Sequence, residues 1–317
     1  MQRSRYNVYT VATPPGGRGS GTRDAACLGS RDMEMVEHDL PRRSVLKLGL
    51  AAAAAGLSRL AGSPQPAMAT TATEETGPAG RFLIVNADDF GLCNGVNRGI
   101  VDTHVRGIVT STSLLVNGAA AEAAARLAHE HPALSVGLHV DLSGPRFGGA
   151  PDTLTAVGDE LDRQFATFQR LMGRLPTHID SHHHVHLRHN VAHLFVELGE
   201  RHGLPVRGLS PVMFIGAFYG QWPVGQSAVA RVSPTALIGL LDGLGPGLYS
   251  LGCHPGYVEP NVDDIYGPER EVELRTLTDA RVRAAVARCR ISLVNFHQYR
   301  RLVAVTTSRR MGSRKAR

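Results

Sequence analysis

Two stretches of the sequence concentrate residues that can bind a metal or move a proton. The six residues Ser181–His186, SHHHVH, contain four histidines, although the chain of 317 residues has only 15. The stretch NADDFG places two carboxylates, Asp88 and Asp89, side by side. Imidazole nitrogens together with a carboxylate oxygen suit Zn²⁺, Mn²⁺, Co²⁺ or Fe²⁺, and less obviously Mg²⁺. Taken alone, NADDFG is also typical of a turn, because Asp and Gly favour turns.

Strands alternate with helices from residue 81 to about residue 299. Apolar runs such as RFLIV (Arg81–Val85) predict buried strands, and the spacing of apolar residues predicts a helix over Asn94–Arg106. The pattern also predicts a strand through THIDSHHHVH and one long helix over Glu269–Cys289. Seven or eight such units in ~220 residues predict a single α/β domain with a TIM-barrel-like (β/α) barrel, either complete or distorted and incomplete.

The polar candidates come directly after predicted strands, and the carboxyl ends of barrel strands converge on one face where active sites form. Alternate strand residues point to the same side, so the even-numbered residues from Asp180 to His186 could share a face. One strand cannot supply a whole coordination sphere, so Asp89 and His139 are the natural further ligands. If Asp89 binds a metal, its neighbour Asp88 is placed to take a proton from a water.

Five stretches, taken in order, resemble the YdjC-like carbohydrate deacetylase family: LIVNADDFGLCNGVNRGI, GIVTSTSLLVNG, VGLHVDL, PTHIDSHHHVH and CHPG. The resemblance spans Arg81 to about Tyr299, and NADDFG together with DSHHHVH is its most specific part. It implies a TIM-barrel-like fold, one divalent metal ion (Mg²⁺ or Zn²⁺), and removal of N-acetyl groups from amino sugars or oligosaccharides.

The resemblance also implies roles for individual residues. The second Asp of NADDFG, the His of GLH and the first His of SHHHVH would bind the metal, and these are Asp89, His139 and His182. Asp88 corresponds to the general base, and His254 of CHPG corresponds to the general acid. Lesser candidates for contacts with the substrate or with the metal ligands are His184 and His186 and, from their position after predicted strands, Asn117 and Asp141.

Other function classes remain open on the residues alone. A metal-dependent phosphoesterase usually needs two metal ions ~3.5–4 Å apart and hence more ligands. A non-haem iron oxygenase also uses two histidines and a carboxylate, but strand–helix alternation differs from its usual all-β scaffold. An exported glycan-binding or metal-binding protein without catalysis is the third alternative, although aromatic residues make up only 5% of the chain and Trp222 is its single tryptophan.

Composition argues against a nucleic-acid partner. The chain is 43% hydrophobic and 20% charged, as expected for a globular domain with a real core. Its net charge is +6, but much of the basic excess lies in the two termini. The sequence contains no basic stripe interleaved with aromatic residues of the kind that binds a phosphate backbone. We expect an N-acetylated sugar or glycan as partner, and the sequence leaves open whether the protein is a monomer or a homodimer.

The N-terminal region has the features of a targeting segment. Paired arginines, Arg42 and Arg43, precede an apolar run that is shorter than the ~20 residues needed to span a bilayer. AMAT supplies a cleavage pattern after Ala69. We therefore expect a twin-arginine signal peptide (Arg42–Ala69) within region 1–69, export to the periplasmic or extracellular side, and no stable membrane span after cleavage. The remaining boundaries are a linker at 70–80, the deacetylase domain at 81–300 and a basic tail at 301–317.

Overall fold

The computed structural model describes residues 80–143, 153–223, 225–260, 262 and 264–303, together with two short strands, β1 (Tyr9–Val11) and β2 (Met33–Met35), which pair antiparallel. The expected signal peptide, most of the linker and most of the basic tail lie outside the described residues. Within the described part of the chain, no helix is both long and apolar enough to cross a membrane.

Seven parallel strands form the central sheet, in the order β6-β5-β4-β3-β8-β7, with β9 also paired to β3. The strands are β3 (Arg81–Phe90), β4 (Ser111–Leu114), β5 (Ser135–Val140), β6 (Ile179–Ser181), β7 (Met213–Ile215), β8 (Gly247–Cys253) and β9 (Ile291–Leu293). The helices are α1 (Asn94–Arg106), α2 (Ala121–Glu130), α3 (Leu154–Met172), α4 (Ala192–His202), α5 (Pro234–Asp242), α6 (Gly267–Leu277) and α7 (Ala280–Arg288).

The predicted TIM-barrel-like α/β fold is confirmed in an incomplete form, as a curled half-barrel. The path of described strands ends at β6 on one side and at β7 on the other, and these two do not pair with each other. The start of β3 pairs with β9 and its end pairs with β4, so two strands share one of its edges. This central strand therefore carries its last residues, Asp88 to Phe90, into the middle of the carboxyl face.

Strand β3 is central because its side chains are apolar on both faces. Leu83 and Val85 pack into the main core beneath the helices, while Ile84 points the other way into a smaller cluster with Val294 and Phe296. Successive strand residues alternate between faces, so an uninterrupted apolar run buries both. The polar residues at its carboxyl end are consequently held on a rigid, fully covered element.

Two sequence predictions about the elements are wrong. The strand through THIDSHHHVH ends at Ser181, and a 3₁₀ turn covers His182–Leu187. The Ser181 hydroxyl accepts a hydrogen bond from the backbone N–H of His186, which replaces a strand ladder contact. The even-numbered residues from Asp180 to His186 therefore do not share a strand face. The expected helix over Glu269–Cys289 is two helices, α6 and α7, because the Asp279 side chain accepts from the N–H of Arg281 and begins the second.

Candidate metal and catalytic site

The ends of β3 and β5 and the turn after β6 bring the three expected metal ligands together. One donor atom each from Asp89, His139 and His182 lies within 4.8 Å of the other two. Asp89 Oδ1 is 3.0 Å from His182 Nδ1 and 3.4 Å from His139 Nε2. Two imidazoles and a carboxylate aimed at one point are a donor set that fits a divalent cation of the zinc type.

The backbone around these residues adopts unusual conformations. Asp89 has φ 69°, and His183 and His184 follow His182 with φ 52° and 51°. Non-glycine residues at positive φ cost of order 1–3 kcal/mol and persist only where the surrounding structure fixes them. Gly91, at φ 99°, completes the turn after β3, and a Cβ there would lie 2.8 Å from the Leu115 carbonyl oxygen. The backbone is therefore strained in the two segments that position the side chains of Asp89 and His182.

Asp88 is buried and held by a bidentate contact with Arg207. Its Oδ2 accepts from Arg207 Nη1 and its Oδ1 from Nη2, both at 2.6 Å, and Asn86 Nδ2 donates to Oδ1 at 2.9 Å. Burial raises the pKa of Asp88, but the charge and hydrogen bonds of Arg207 outweigh burial and hold the pKa below its usual range. Asp88 is therefore ionised at neutral pH.

Asp180 supports His139 from behind. His139 Nδ1 lies 2.6 Å from Asp180 Oδ1, which leaves Nε2 directed at Asp89. Burial lowers the pKa of His139, but the neighbouring Asp180 carboxylate outweighs burial and raises the pKa to about 10. Arg207 contacts the other oxygen of Asp180 and so joins this pair to Asp88. In metal sites, a carboxylate that is hydrogen-bonded to the second ring nitrogen of a ligating histidine commonly fixes the orientation of that ring.

Arg270 contacts Asp89 as Arg207 contacts Asp88. Its Nη2 donates to Asp89 Oδ2 at 2.8 Å, and its Nε donates to Asp264 Oδ2. One oxygen of Asp89 is thus fixed by the guanidinium while the other faces the two histidines. Burial raises the pKa of Asp89, but Arg270 holds that pKa well below its usual range.

His254 follows β8 and reaches the same group. Its Nε2 is 3.8 Å from Asp88 Oδ2, and the rings of Tyr219 and Tyr266 lie at 5.6 and 5.3 Å from its ring, both edge-on. Burial lowers the pKa of His254 to about 4. Its backbone N–H donates to Glu273 Oε2 at 2.5 Å. Sequence reasoning found His254 but missed Glu273, because a buried glutamate on a helix carries no motif.

The two further histidines of SHHHVH occupy different environments. His184 is half-buried, and its ring meets Phe214 edge-on at 5.4 Å. His186 is fully buried, its Nδ1 is 2.7 Å from the Ser181 hydroxyl, and its ring lies 5.9 Å from Phe195 in the core. His186 therefore packs inside the domain, whereas His184 is half-buried against Phe214.

Asn117 and Asp141 each form hydrogen bonds with other residues of the domain. Asn117 is exposed, and its Oδ1 accepts from Arg163 Nη2 at 2.8 Å. Asp141 is half-buried, and its Oδ1 accepts from the backbone N–H and the hydroxyl of Ser143. Both polar side chains thus have partners within the protein at the strand ends where they were expected.

Comparisons with known proteins agree with this architecture. The family model described as YdjC-like protein matches residues 82–288. A chitooligosaccharide deacetylase from Serratia marcescens is 33% identical over 245 residues, covering 65% of this chain and 94% of the relative. A carbohydrate deacetylase from Geobacillus stearothermophilus is 34% identical over 252 residues, covering 70% and 99%. A solved structure from Enterococcus faecalis, a suggested cellobiose-phosphate cleavage protein, has a TM-score of 0.62 and 25% identity, and covers 69% of this chain and 99% of its own.

Proposed function

The chain belongs to the YdjC-like family, and on that premise we propose that it is a metal-dependent hydrolase that removes N-acetyl groups from an amino sugar or oligosaccharide. Two relatives that this chain matches over 94% and 99% of their length are named chitooligosaccharide deacetylase and carbohydrate deacetylase. These names support a hydrolase that acts on amide bonds. The observation that carries the proposal is the meeting of Asp88, Asp89, His139, His182 and His254 at one end of the sheet.

Asp89, His139 and His182 are the proposed ligands of one divalent ion, Mg²⁺ or Zn²⁺, which when bound would polarise the amide carbonyl and make the attacking water easier to deprotonate. Imidazole donors favour Zn²⁺, whereas Mg²⁺ prefers oxygen ligands. Buried arginines hold three aspartates at the site. Arg270 contacts the proposed ligand Asp89, and Arg207 contacts its neighbours Asp88 and Asp180.

The arrangement of the possible ligands favours one ion rather than two. A second group of possible ligands, Asp88, His139 and Asp180, shares His139 with the first, and both its carboxylates are paired with Arg207. The phosphoesterase alternative, which usually requires two ions, is therefore less well supported.

In the proposed reaction, Asp88 accepts the proton of the attacking water. The Arg207 fork keeps Asp88 ionised and fixes its orientation, so the carboxylate is ready to accept. His254 donates a proton from Nε2 to the leaving nitrogen when the amide bond breaks. Of the two ring nitrogens of His254, Nε2 is the one that faces Asp88. Base and acid thus flank the same small region, as general acid–base hydrolysis of an amide requires.

The test is acetate release from a panel of N-acetylated sugars, using metal-free protein reconstituted with each divalent ion. The key variant is Asp88→Asn, and the matched control is Asp162→Asn, an exposed aspartate paired with Arg201. We expect metal-dependent acetate release that falls ~10²–10⁴-fold in the Asp88 variant and is unchanged in the control. Full activity of Asp88→Asn with metal bound would reject the proposed base, and a count of two ions per chain would favour a phosphoesterase.

We further propose that the protein is exported by the twin-arginine route. Arg42, Arg43, the short apolar run and the cleavage pattern after Ala69 support this proposal. Cell fractionation of the full chain and of a double Arg42→Lys, Arg43→Lys variant tests it. We expect mature protein outside the cytoplasm for the natural sequence and retained precursor for the variant, and equal distribution of the two would contradict export by this route.

A further inference from the structure

Glu273, on α6, is a fully buried carboxyl group directly behind His254. Its Oε2 accepts a hydrogen bond from the His254 backbone N–H at 2.5 Å. Its Oε1 accepts from the Tyr266 hydroxyl at 2.6 Å and lies 3.9 Å from His254 Nδ1. That ring nitrogen is buried and, in the described part of the chain, has no hydrogen-bond partner. One carboxyl group therefore fixes the main chain of His254 and faces its unsatisfied ring nitrogen.

The Glu273 carboxyl group is fully buried, and each of its oxygens accepts a hydrogen bond. The Tyr266 hydroxyl accepts a hydrogen bond from the Gly220 N–H while it donates to Glu273. Tyr219 stacks on Tyr266 with ring centroids 4.8 Å apart, and both rings contact the His254 imidazole. A shift of the imidazole by about 1 Å would bring Nδ1 within hydrogen-bond reach of Oε1, and catalytic hydrogen bonds commonly tighten only when substrate binds.

The protonation of the two groups is complementary. Burial raises the pKa of Glu273 to about 8, and burial lowers the pKa of His254 to about 4. At neutral pH the carboxyl group thus retains its proton while the imidazole is neutral. A neutral imidazole is a poor acid from Nε2 unless Nδ1 receives a proton at the same time, because an imidazolate would otherwise form.

We propose that Glu273 and His254 form a proton relay in which Glu273 positions the imidazole and supplies the proton that His254 passes on. As the leaving nitrogen takes the proton from Nε2, the O–H bond of Glu273 breaks and its proton bonds to Nδ1. The imidazole ends neutral and Glu273 ends as a carboxylate. The proton that Asp88 took from the water then passes to Nε2, which lies 3.8 Å from Asp88 Oδ2, and Nδ1 returns a proton to Glu273, so both groups are restored. The direction of transfer rests on the proposed deacetylase reaction, whereas the pairing itself rests only on the contacts above.

The kinetic test compares Glu273→Gln with Glu269→Gln in the metal-reconstituted full chain. Glu269 is a matched control because it is a buried glutamate on the same helix, one turn away, packed near Gly220. We expect kcat for acetate release to fall on the order of 10²-fold in Glu273→Gln with KM little changed, and to stay within about twofold in the control. Adding Glu273→Gln to a His254→Asn variant should cause no further loss, because both changes interrupt one relay.

The second readout does not depend on turnover. In protein with ¹⁵N-labelled histidine, the His254 ring signals are identified by their loss in His254→Asn. We expect Glu273→Gln to shift the His254 Nδ1 signal and Glu269→Gln to leave it unchanged. If no sugar releases acetate, the deacetylase proposal fails and this spectrum alone decides the pairing. An unshifted Nδ1 signal, or wild-type kcat in an active Glu273→Gln enzyme, overturns the relay. If Glu273→Gln does not fold, Glu273→Asp keeps the acid at a longer distance and allows the same two measurements.

Discussion

Replacement of Arg207 by methionine should destabilise the domain far more than the loss of one surface charge. The Arg207 side chain is only 2% exposed, and its guanidinium contacts both oxygens of Asp88 at 2.6 Å as well as Asp180. Methionine fills much of the space of the arginine stem but carries no charge. The variant therefore leaves two buried carboxylates without their common partner.

The magnitude follows from the cost of an unpaired buried charge. Removing one partner of a buried ion pair typically costs ~3–5 kcal/mol of unfolding free energy. For a domain of about 220 residues, each kcal/mol shifts the melting temperature by ~2–4 °C, so we expect a decrease of ~6–20 °C.

The sign of the pH dependence is also fixed by these contacts. Burial raises the pKa values of Asp88 and Asp180, but Arg207 outweighs burial and holds both below the usual range. Their contribution to stability is therefore present above the unfolded carboxyl pKa of ~3.9 and is lost as the pH falls through the lower folded values. Without Arg207, burial raises the pKa of Asp88, whereas Asp180 keeps His139 as a partner. The variant therefore loses stability through Asp88 as the pH rises above ~4. The difference between wild type and variant should widen from pH 5 to pH 8.

Thermal unfolding followed by circular dichroism at both pH values measures this difference, with a chelator present so that metal binding does not contribute. The control is Arg201→Met, which removes an exposed arginine, 55% accessible and 2.8 Å from Asp162. Exposed pairs of this kind contribute ~0–1 kcal/mol, so the control should melt within ~4 °C of the wild type at either pH. Equal melting temperatures for the two variants, or a difference independent of pH, would refute the reasoning.

Three further outcomes are expected. Asp89→Ala should lose tight binding of Zn²⁺ in equilibrium dialysis, because it removes the only carboxylate of the proposed ligand group, and wild-type affinity would reject that group. Gly99→Ala should lower the melting temperature, because its Cβ would lie 2.5 Å from Gly256 Cα. Gly158→Ala should raise the melting temperature, because the space around its Cβ is open. The reverse order would contradict the packing of α1. Ser181→Ala should cost ~1–3 kcal/mol in urea unfolding by leaving a buried histidine without two hydrogen bonds, with metal binding retained, and no loss would contradict this role.

The sequence predicted the candidate metal group because its members lie at or directly after strand ends. In a parallel sheet these ends share one face, so Asp89 and His139 could be placed together from strand order alone. Alternation along a strand left open which histidine of SHHHVH would join them, and the family resemblance singled out His182. The strand stops one residue earlier, and a strained turn, rather than alternation along a strand, directs its ring to Asp89. Hydrophobic patterns do not report a side-chain hydrogen bond such as that of Ser181, so this local change could not be read from periodicity.

The arginine partners of Asp88 and Asp89 could not be assigned from the sequence because they are distant along the chain. Arg207 is separated from Asp88 by 119 residues, and Arg270 from Asp89 by 181. Both arginines belong to a chain with 34 basic residues, most of which carry no distinguishing context in the sequence. Only the folded structure distinguishes a buried guanidinium that forks onto a carboxylate from one that is solvated on the surface.

These buried partners also divide the acidic groups of the site into two kinds. Asp88 and Asp89 each contact an arginine, and their pKa values lie below the usual carboxyl range. Among the described residues, Glu273 accepts hydrogen bonds only from the His254 N–H and the Tyr266 hydroxyl, so burial prevails and raises its pKa to about 8. Groups whose environments push their pKa values apart are able to act as base and acid at one pH. The placement of two arginines beside the aspartates, and of neither in direct contact with Glu273, therefore gives the proposed base an ionised carboxylate and the proposed acid a proton source.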